Sequence, residues 1–416
     1  MKILILTSLY PPLGSSGHHA RCQQVVEALS KRGHRLQVLT SNHRLPPMGV
    51  ATDKGVFRDL TLRANHTDAD LRALTYQEVL TLDLGNAAVV DYRVTRFKPD
   101  IILVWDAMHL SNSVFMRLQN KRVPVVYDLH NEWLASENYE RDPWFWWWRK
   151  QKSISVGFRK LWMTWVGARR RILRKLPVHL ATNLDLSHAW CASACLRDKL
   201  VAEGLTSLTD RPVIYSALNP VDLIRKEHYA KTMRFMWAGR LSETKAPDLA
   251  LDAVACLVKK GVPVTLDIYG MGEPLERKTF RENIVAMGLS DSVKMVGIRP
   301  GQLAGKYLKY DALLFTSRAN DPFPVTPVEA MWSGLPCIVS NDGGIREVVA
   351  DGETAILFES GSVESLVAAM ERFISFPDAG ERLARQCIEG LQDRHSMDTY
   401  LDEVEAIISS AVTPKP

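Results

Sequence analysis

The stretch that most constrains the fold is residues 321–347, DPFPVTPVEAMWSGLPCIVSNDGGIRE. Thr326, Pro327 and Glu329 predict a helix start, with a capping hydroxyl, a proline at the first helical position and a carboxylate three residues after the cap. Gly334 predicts the end of that helix. The apolar run CIVS that follows is typical of a short buried strand. A helix that leads into a buried strand favours an α/β fold with parallel strands.

The polar turn NDGG lies at the carboxyl end of that strand, where open α/β sheets bind ligands. Helix amino termini at this edge present unpaired N–H groups and the positive end of a dipole. Asp321 and Glu329 bracket such a terminus, so their carboxylates can accept hydrogen bonds from sugar hydroxyls while the helix end faces a phosphate. A capping-box role explains Glu329 alone equally well. Residues 345–349 predict the start of another helix.

This stretch resembles a known family. Two acidic residues separated by seven, the EAM sequence, the Gly-x-Pro strand and the GG turn are similar to the E-x7-E region of retaining glycosyltransferases with the GT-B fold, glycosyltransferase family four. The usual form begins with Glu and has Gly after Phe, whereas this chain has Asp321 and Pro324. Because Pro324 and Pro327 lack an N–H, this backbone can give a donor fewer hydrogen bonds. The resemblance covers most of the chain and implies two facing Rossmann-like domains with a donor/acceptor cleft.

The length of 416 residues exceeds one ordinary core and predicts two domains of about 200 residues each. We expect a Rossmann-like acceptor-side domain over residues 1–218 and a nucleotide-sugar-binding domain over residues 219–392. The resemblance implies that a last helix, within residues 393–416, crosses back to the first domain. The opening run MKILILTSLYPP is too short for a signal peptide and predicts a buried strand. The six scattered cysteines suggest reduced core residues and no metal site.

The first domain begins with that strand, the loop YPPLGSSG, a helix and the strand RLQVLT, which together predict a βαβ unit. Ser16 and Gly17 allow close approach of a phosphate or sugar; the loop alone is a weak motif, and the resemblance makes these residues donor ligands. Residues 43–90 predict irregular loops that face the acceptor. Further on, PDIILVW and PVVYD predict buried strands, residues 189–204 a helix and residues 212–215 a strand.

His130 follows the strand PVVYD in the sequence DLHNE, at a strand's carboxyl end. A lone histidine is more often structural than catalytic. The family, however, commonly has a histidine here, so the resemblance implies that His130 binds or orients the transferred sugar in catalysis.

The second domain opens like the first, with a strand, the loop GRLSETKAP and a helix. Arg240 and Lys245 lie on that loop, where two cations can hold a diphosphate, although surface loops are often basic for solubility alone. The GRL-x3-K pattern of the family implies that both bind the donor. By the same resemblance Asp321 binds the transferred sugar in catalysis and Glu329 the donor ribose. The remaining implied donor contacts are Gly270, Ile298, Phe323 and Val325.

The resemblance also implies the reaction. A hexose-type sugar moves from a nucleotide-sugar to a saccharide or lipid-linked acceptor in glycan or glycolipid assembly. Retention of configuration uses front-face attack, in which the leaving phosphate takes the acceptor's proton. Because two cations offset the charge that builds on the diphosphate, no metal or other cofactor is expected.

Residues 141–175 carry eleven Arg or Lys and one acid, a local charge of +10 in a chain whose net charge is +5. A basic, tryptophan-rich helix suits the interface of an anionic membrane. Nucleic acid is another polyanion that such a segment can bind, and a buried helix pair with a solvated basic face is the structural alternative. We expect the membrane, hence a peripheral protein on its cytoplasmic face and no nucleic-acid partner. The predicted membrane contacts are Trp144, Trp146, Trp147, Trp148, Arg149, Lys150, Arg169, Arg170 and Arg171.

Two other classes of protein are compatible with a pair of Rossmann-like domains. A non-catalytic GT-B scaffold that binds membrane or a partner stays open because of Asp321 and the two prolines. An NAD-dependent oxidoreductase is disfavoured because YPPLGSSG lacks the G-x-G-x-x-G spacing and no acidic residue ends the second strand.

Overall fold

The computed structural model describes residues 1–13, 17–43, 54–63, 74–135, 154–167, 172, 181–217, 224–229, 232–272, 274–297, 303–318, 321–375, 379–392 and 394–412. They form two compact units. The first contains Met1–Ala192, Leu196–Ile214 and Leu401–Pro416; the second contains Ser193–Cys195 and Tyr215–Tyr400. Each unit is built on a parallel six-stranded sheet. The predicted α/β fold with two Rossmann-like sheets is confirmed.

The first sheet consists of β1 (Lys2–Thr7), β2 (Arg35–Ser41), β3 (Val56–Leu60), β4 (Ile101–Asp106), β5 (Val125–Leu129) and β6 (Ala189–Cys191). Its strand order is β3-β2-β1-β4-β5-β6. In the central strand, Ile5 pairs with Val38 on one side and Leu103 on the other. Every residue of β4 and β5 is buried, because helices cover both faces of a parallel sheet.

The helices described in the first unit are α1 (Gly17–Lys31), α2 (Tyr76–Phe97), α3 (Asn112–Gln119), α4 (Ile154–Trp165) and α5 (Ala194–Ala202), whose first two residues group with the second unit. The prediction of irregular loops over residues 43–90 is wrong where β3 and α2 lie. A capping box starts α2: Glu78 N donates to Thr75 Oγ1 over 3.4 Å and Thr75 N donates to Glu78 Oε2 over 2.8 Å. The sequence TYQE before an apolar run carries this signal.

The predicted helix over residues 189–204 is also wrong at its start. Ala189 pairs with Tyr127, so the buried run AWC extends the sheet as β6 before α5 begins. The strand predicted over residues 212–215 makes an isolated bridge between Val213 and Cys191. A short apolar run such as AWC fits a sheet edge as well as a helix, and pairing with the neighbouring strand β5 decides between them.

The second sheet consists of β7 (Arg234–Arg240), β8 (Thr265–Met271), β9 (Val293–Met295), β10 (Ala312–Phe315), β11 (Cys337–Ser340) and β12 (Ile356–Phe358), in the order β12-β11-β10-β7-β8-β9. Its described helices are α6 (Pro247–Lys259), α7 (Pro274–Ala286), α8 (Val325–Trp332), α9 (Val363–Ser375) and α10 (Ala379–Gln392). Short 3₁₀ helices lie at Ala304–Lys309 and Gly343–Glu347. The last of these replaces the longer helix predicted over residues 345–349.

The six cysteines are free thiols. Cys256 is exposed on α6 and Cys195 is partly exposed on α5, so the expectation that all six are core residues is wrong for these two.

The last described helix, α11 (Met397–Val412), groups with the first unit from Leu401 onward. Arg32 Nη1 lies 2.5 Å from Asp402 Oδ1 and 2.8 Å from Glu405 Oε2. His34 Nε2 lies 2.7 Å from Glu405 Oε1. These pairs join α11 to the region that follows α1. Burial would raise the pKa of Glu405, but hydrogen bonds from His34 and Arg32 hold it below its usual value.

Glu405→Gln is expected to destabilise the first unit by about 1 kcal/mol at neutral pH, because it removes a partly exposed ion pair. The folded-state pKa of Glu405 is lowered, so its stabilisation is present above the unfolded pKa of about 4.3 and is lost as the pH falls below it. Thermal melting of both proteins against pH checks this. Glu403→Gln, on the same helix, is the contrasting variant: burial raises the pKa of Glu403, so removing its charge should not destabilise the protein at neutral pH. A destabilisation that persists in acid would contradict the ion-pair explanation.

Candidate active site

An ion pair lies at the carboxyl ends of two neighbouring strands in the second unit. Lys245, between β7 and α6, pairs through Nζ with the carboxylate of Asp321, between β10 and α8. Their side chains are 25% and 13% exposed. Two residues that the sequence predicted as ligands of one donor are therefore adjacent, and each neutralises the other.

The backbone of Lys245 is tied to the end of β10. Thr316 donates its hydroxyl to the carbonyl of Lys245 over 3.1 Å and to that of Ala246 over 2.7 Å. The indole of Trp237 donates to Thr316 Oγ1 over 2.9 Å. Because Thr316 is buried, these bonds fix the loop that carries the cation.

Helix α8 starts earlier than predicted. Its N-cap is Pro324, in an extended conformation with φ −79° and ψ 111°, and no side chain caps the helix. Thr326 is therefore not the cap. Pro327 falls in the first turn, where N–H groups have no intrahelical acceptor, so a missing N–H is tolerated there.

Glu329 lies beyond the first turn of α8, so the capping-box explanation of its carboxylate is wrong. Its Oε2 accepts a hydrogen bond from the hydroxyl of Tyr307 over 3.1 Å. Burial, and then the charge of Glu329, raise the pKa of Tyr307 well above its usual value, so this hydroxyl stays a donor. Glu329 is thus held by a side chain rather than by the helix start.

The other predicted donor ligands lie in different settings. Arg240 ends β7 with an exposed side chain that forms no ion pair within the described part of the chain. Gly270 lies inside β8 rather than in a turn, and a Cβ there would be 2.6 Å from Leu241 Cδ2, so a larger residue would require the Leu241 side chain to move. Phe323 is buried, Val325 is the first residue of α8 and Gly17 the first of α1.

Several predicted residues lie outside the described ranges. They are Ser16, Ile298 and the membrane contacts Trp144, Trp146, Trp147, Trp148, Arg149, Lys150, Arg169, Arg170 and Arg171.

His130 follows β5 in the first unit and is buried. Its Nε2 lies 2.6 Å from Asp128 Oδ1, and Nη2 of Arg21 lies 2.6 Å from each ring nitrogen. A guanidinium only donates hydrogen bonds, so the ring nitrogen that accepts from Arg21 carries no proton. Burial, and then the charge of Arg21, lower the pKa of His130 well below its usual value. The imidazole is therefore neutral.

A second carboxylate completes this cluster at the end of β4. Asp106 accepts hydrogen bonds from Ser8 Oγ over 2.7 Å and Met108 N over 3.1 Å, and His19 Nε2 lies 3.8 Å away. Burial alone would raise the pKa of Asp106, but its contacts with His19 and Ser8 hold it below its usual value. His18 packs edge-on against His130 with ring centroids 4.6 Å apart.

Of this cluster, only His130 is predicted as a site residue from the sequence. Strand ends also mark its neighbours in the sequence. His18, His19 and Arg21 open the first helix after β1, and Asp106 ends β4. All four therefore lie at one edge of a parallel sheet.

Within the described ranges, no three His, Cys, Asp or Glu side chains are grouped so as to hold a metal ion. None of the helices described has the length and apolar character needed to cross a membrane. Metal independence stays a prediction.

Two family models match the chain. One, for glycosyl transferases group 1, covers residues 223–390, which include Arg240, Lys245, Asp321 and Glu329. The other, for a glycosyl transferase 4-like domain, covers residues 16–183, which include His130. The chain belongs to the group 1 glycosyl transferases.

Relatives of this family agree with the fold. The D-inositol 3-phosphate glycosyltransferase of Gordonia bronchialis is 27% identical over 191 residues, which cover 43% of this chain and 42% of the relative. The chain thus matches less than half the length of that relative. Sucrose-phosphate synthase from Thermosynechococcus elongatus has a TM-score of 0.71 at 17% identity, with coverage of 99% of this chain and 98% of the other. Anabaena HepE in complex with UDP-glucose has a TM-score of 0.68 at 19% identity, with coverage of 99% and 100%. These similarities confirm the GT-B fold.

His130 of this glycosyl transferase is expected to stay neutral through the range around its usual pKa of about 6.5, because burial and Arg21 disfavour the charged ring. Long-range ¹H–¹⁵N NMR should show a neutral ring throughout that range, with the spectrum of His130→Gln identifying its signals. A titration midpoint near 6.5 would contradict the effect assigned to burial and Arg21.

Proposed function

We propose that the protein is a retaining, metal-independent glycosyltransferase that moves a hexose-type sugar from a nucleotide-sugar to a saccharide or lipid-linked acceptor in glycan or glycolipid assembly. The observation that carries the proposal is the ion pair of Lys245 and Asp321, within the region matched by the group 1 model. The UDP-glucose bound to HepE, a protein of the same fold, supports a nucleotide-sugar donor.

Charge is the proposed basis of diphosphate binding. The exposed Arg240 ends β7 and Lys245 lies on the loop that follows, so both can approach the two phosphates. The same cations offset the negative charge that develops on the leaving diphosphate, which is the contribution that a metal ion makes in other enzymes. Val325, as the first residue of α8, adds an N–H from a helix start.

Carboxylates are the proposed ligands for the sugars. Asp321 accepts hydrogen bonds from hydroxyls of the transferred sugar once the diphosphate takes its place at Lys245. Glu329 accepts from the donor ribose, with Tyr307 orienting the carboxylate.

Hydrogen bonding, rather than proton transfer, is the proposed role of His130. Its lowered pKa suits a neutral ring that orients the sugar without carrying charge. Front-face attack needs no protein base, because the leaving phosphate takes the acceptor's proton.

Calorimetry with UDP, GDP, ADP and dTDP tests the donor site. One of them should bind the wild type, and Lys245→Ala should weaken that binding about 10- to 100-fold, since a charge-assisted hydrogen bond is lost. Asp321→Asn should tighten it about 5-fold, because the carboxylate no longer competes for the ammonium group.

The control for this experiment is Lys260→Ala. Lys260 follows α6 and pairs with Glu371 over 2.6 Å in the same unit, so its removal changes the net charge equally and should leave binding unchanged. If none of the four nucleotides binds the wild type, the non-catalytic scaffold replaces the enzyme as the best explanation.

We further propose that the protein acts on the cytoplasmic face of an anionic membrane as a peripheral protein. Support comes from α4, which lies between the densest basic runs of the chain. Met163 is buried, whereas the apolar side chains around it are exposed. The exposed set comprises Ile154 (93%), Phe158 (73%), Leu161 (68%), Trp162 (55%) and Trp165 (86%). A buried helix pair would cover these side chains, whereas a headgroup interface accommodates them.

Replacing Phe158, Trp162 and Trp165 with Ser should reduce binding to anionic vesicles about 10-fold or more in flotation, because the apolar anchor is lost. The control is Leu275→Ser with Val285→Ser, two exposed apolar residues of α7 in the second unit, which should float like the wild type. Membrane binding through α4 would be refuted if the flotation of the wild type did not depend on the phosphatidylserine content of the vesicles. It would also be refuted if the triple variant floated as well as the wild type.

A further inference from the structure

The turn Gly343–Glu347 lies directly against the loop that carries Asp321. Gly344 N donates a hydrogen bond to the carbonyl of Asp321 over 2.8 Å. A Cβ on Gly344 would lie 2.1 Å from Pro322 O, 3.0 Å from Pro322 C and 3.1 Å from Ser193 Cβ. The first two are backbone atoms, which cannot turn aside as the end of a side chain can. Unlike Gly343, with φ +70°, Gly344 has no positive φ, so space rather than conformation requires glycine here.

At the other end of this turn, Glu347 contacts Phe323 through Tyr215. Glu347 accepts hydrogen bonds from Ala194 N over 2.9 Å, Cys195 N over 2.7 Å and the hydroxyl of Tyr215 over 3.2 Å. These three donors hold the Glu347 carboxylate in place. The ring of Tyr215 packs against Phe323 with centroids 5.8 Å apart.

His395 is the third ring of this aromatic group. Its ring stacks on Phe323 at 5.6 Å with an interplanar angle of 25°, and it also lies 5.4 Å from Tyr215. Burial lowers the pKa of His395 to about 4, so the ring is neutral at physiological pH and the stack does not change charge there. The loop of residues 321–323 is thus held at Asp321 by Gly344 and at Phe323 by Tyr215 and His395.

We propose that Gly344 is a positioning residue, which places the Asp321 carboxylate for sugar recognition by fixing its backbone, and that Glu347 does the same for Phe323 through Tyr215. The proposal rests on the proposed function, because it assigns Asp321 to the transferred sugar. In the sequence the GG pair indicated a turn and formed part of the family resemblance. In the structure, Gly344 leaves the space that the loop carrying Asp321 occupies.

The experiment compares binding of UDP, GDP, ADP and dTDP with binding of their glucose conjugates by calorimetry. In wild type the glucose conjugate should bind more tightly than the nucleotide that the protein accepts. Gly344→Ala should reduce this preference about 10-fold or more, because a shift of the loop moves the carboxylate away from the sugar. Gly305→Ala is the matched control, since a Cβ there meets nothing within 4 Å, and the preference should be unchanged.

A double-variant cycle separates positioning from general damage. If Gly344 acts through Asp321, the change Gly344→Ala should have little further effect on the preference in the Asp321→Asn background. Glu347→Gln, which keeps the size of the side chain, should reduce the preference in the same direction if Gly344→Ala fails to fold.

The outcomes distinguish the two proposals. A wild type that binds none of the eight compounds overturns the proposed function and this inference with it. A wild type that prefers a glucose conjugate, with Gly344→Ala and Glu347→Gln preferring it equally, overturns the positioning role alone. Additive effects in the double variant would also overturn it.

Discussion

Both units depend on parallel strands that are buried on both faces. The central strands β4 and β5 of the first unit, and β10 and β11 of the second, expose no residue to solvent. Such strands leave little room for polar side chains along their length, so polar groups collect where the strands end. In parallel sheets these carboxyl ends share one edge, and the loops beyond them bring together residues far apart in the chain. The histidine cluster and the Lys245–Asp321 pair both arise in this way.

The two edges carry different electrostatics. In the first unit Asp106, Asp128 and Arg21 lie around His130, whose pKa is lowered, so this ring is a neutral group among charged side chains. Among the described residues of the second unit, Asp321 pairs with Lys245, and the cation Arg240 forms no ion pair. This contrast supports the proposed roles, with hydrogen bonds to hydroxyls at the first edge and a diphosphate at the second.

The sequence predicted strands well because buried parallel strands are continuous apolar runs, and it placed β1, β7 and β11 by that signal. It missed α2, whose capping box follows a stretch with no periodic pattern, and it read β6 as helix because a three-residue strand is too short to show a period. For the site, single residues at strand ends could be named. Their partners could not, because contacts such as Lys245–Asp321 and Gly344–Pro322 depend on the order of strands in the sheet rather than on spacing along the chain.

The departures from the common family pattern have a consistent physical consequence. Asp321 has a shorter side chain than Glu, yet it reaches Lys245 because both backbones are fixed, one by Gly344 and the other by Thr316. Pro324 and Pro327 lie at the N-cap and in the first turn of α8, where N–H groups have no acceptor within the helix. The helix therefore loses nothing, whereas a diphosphate bound there as proposed would find two fewer N–H donors. Under that proposal, charge supplies more of the donor affinity than in a chain with the common pattern. Raised salt should weaken donor binding more steeply here, because screening acts on the cations and leaves backbone hydrogen bonds largely unaffected.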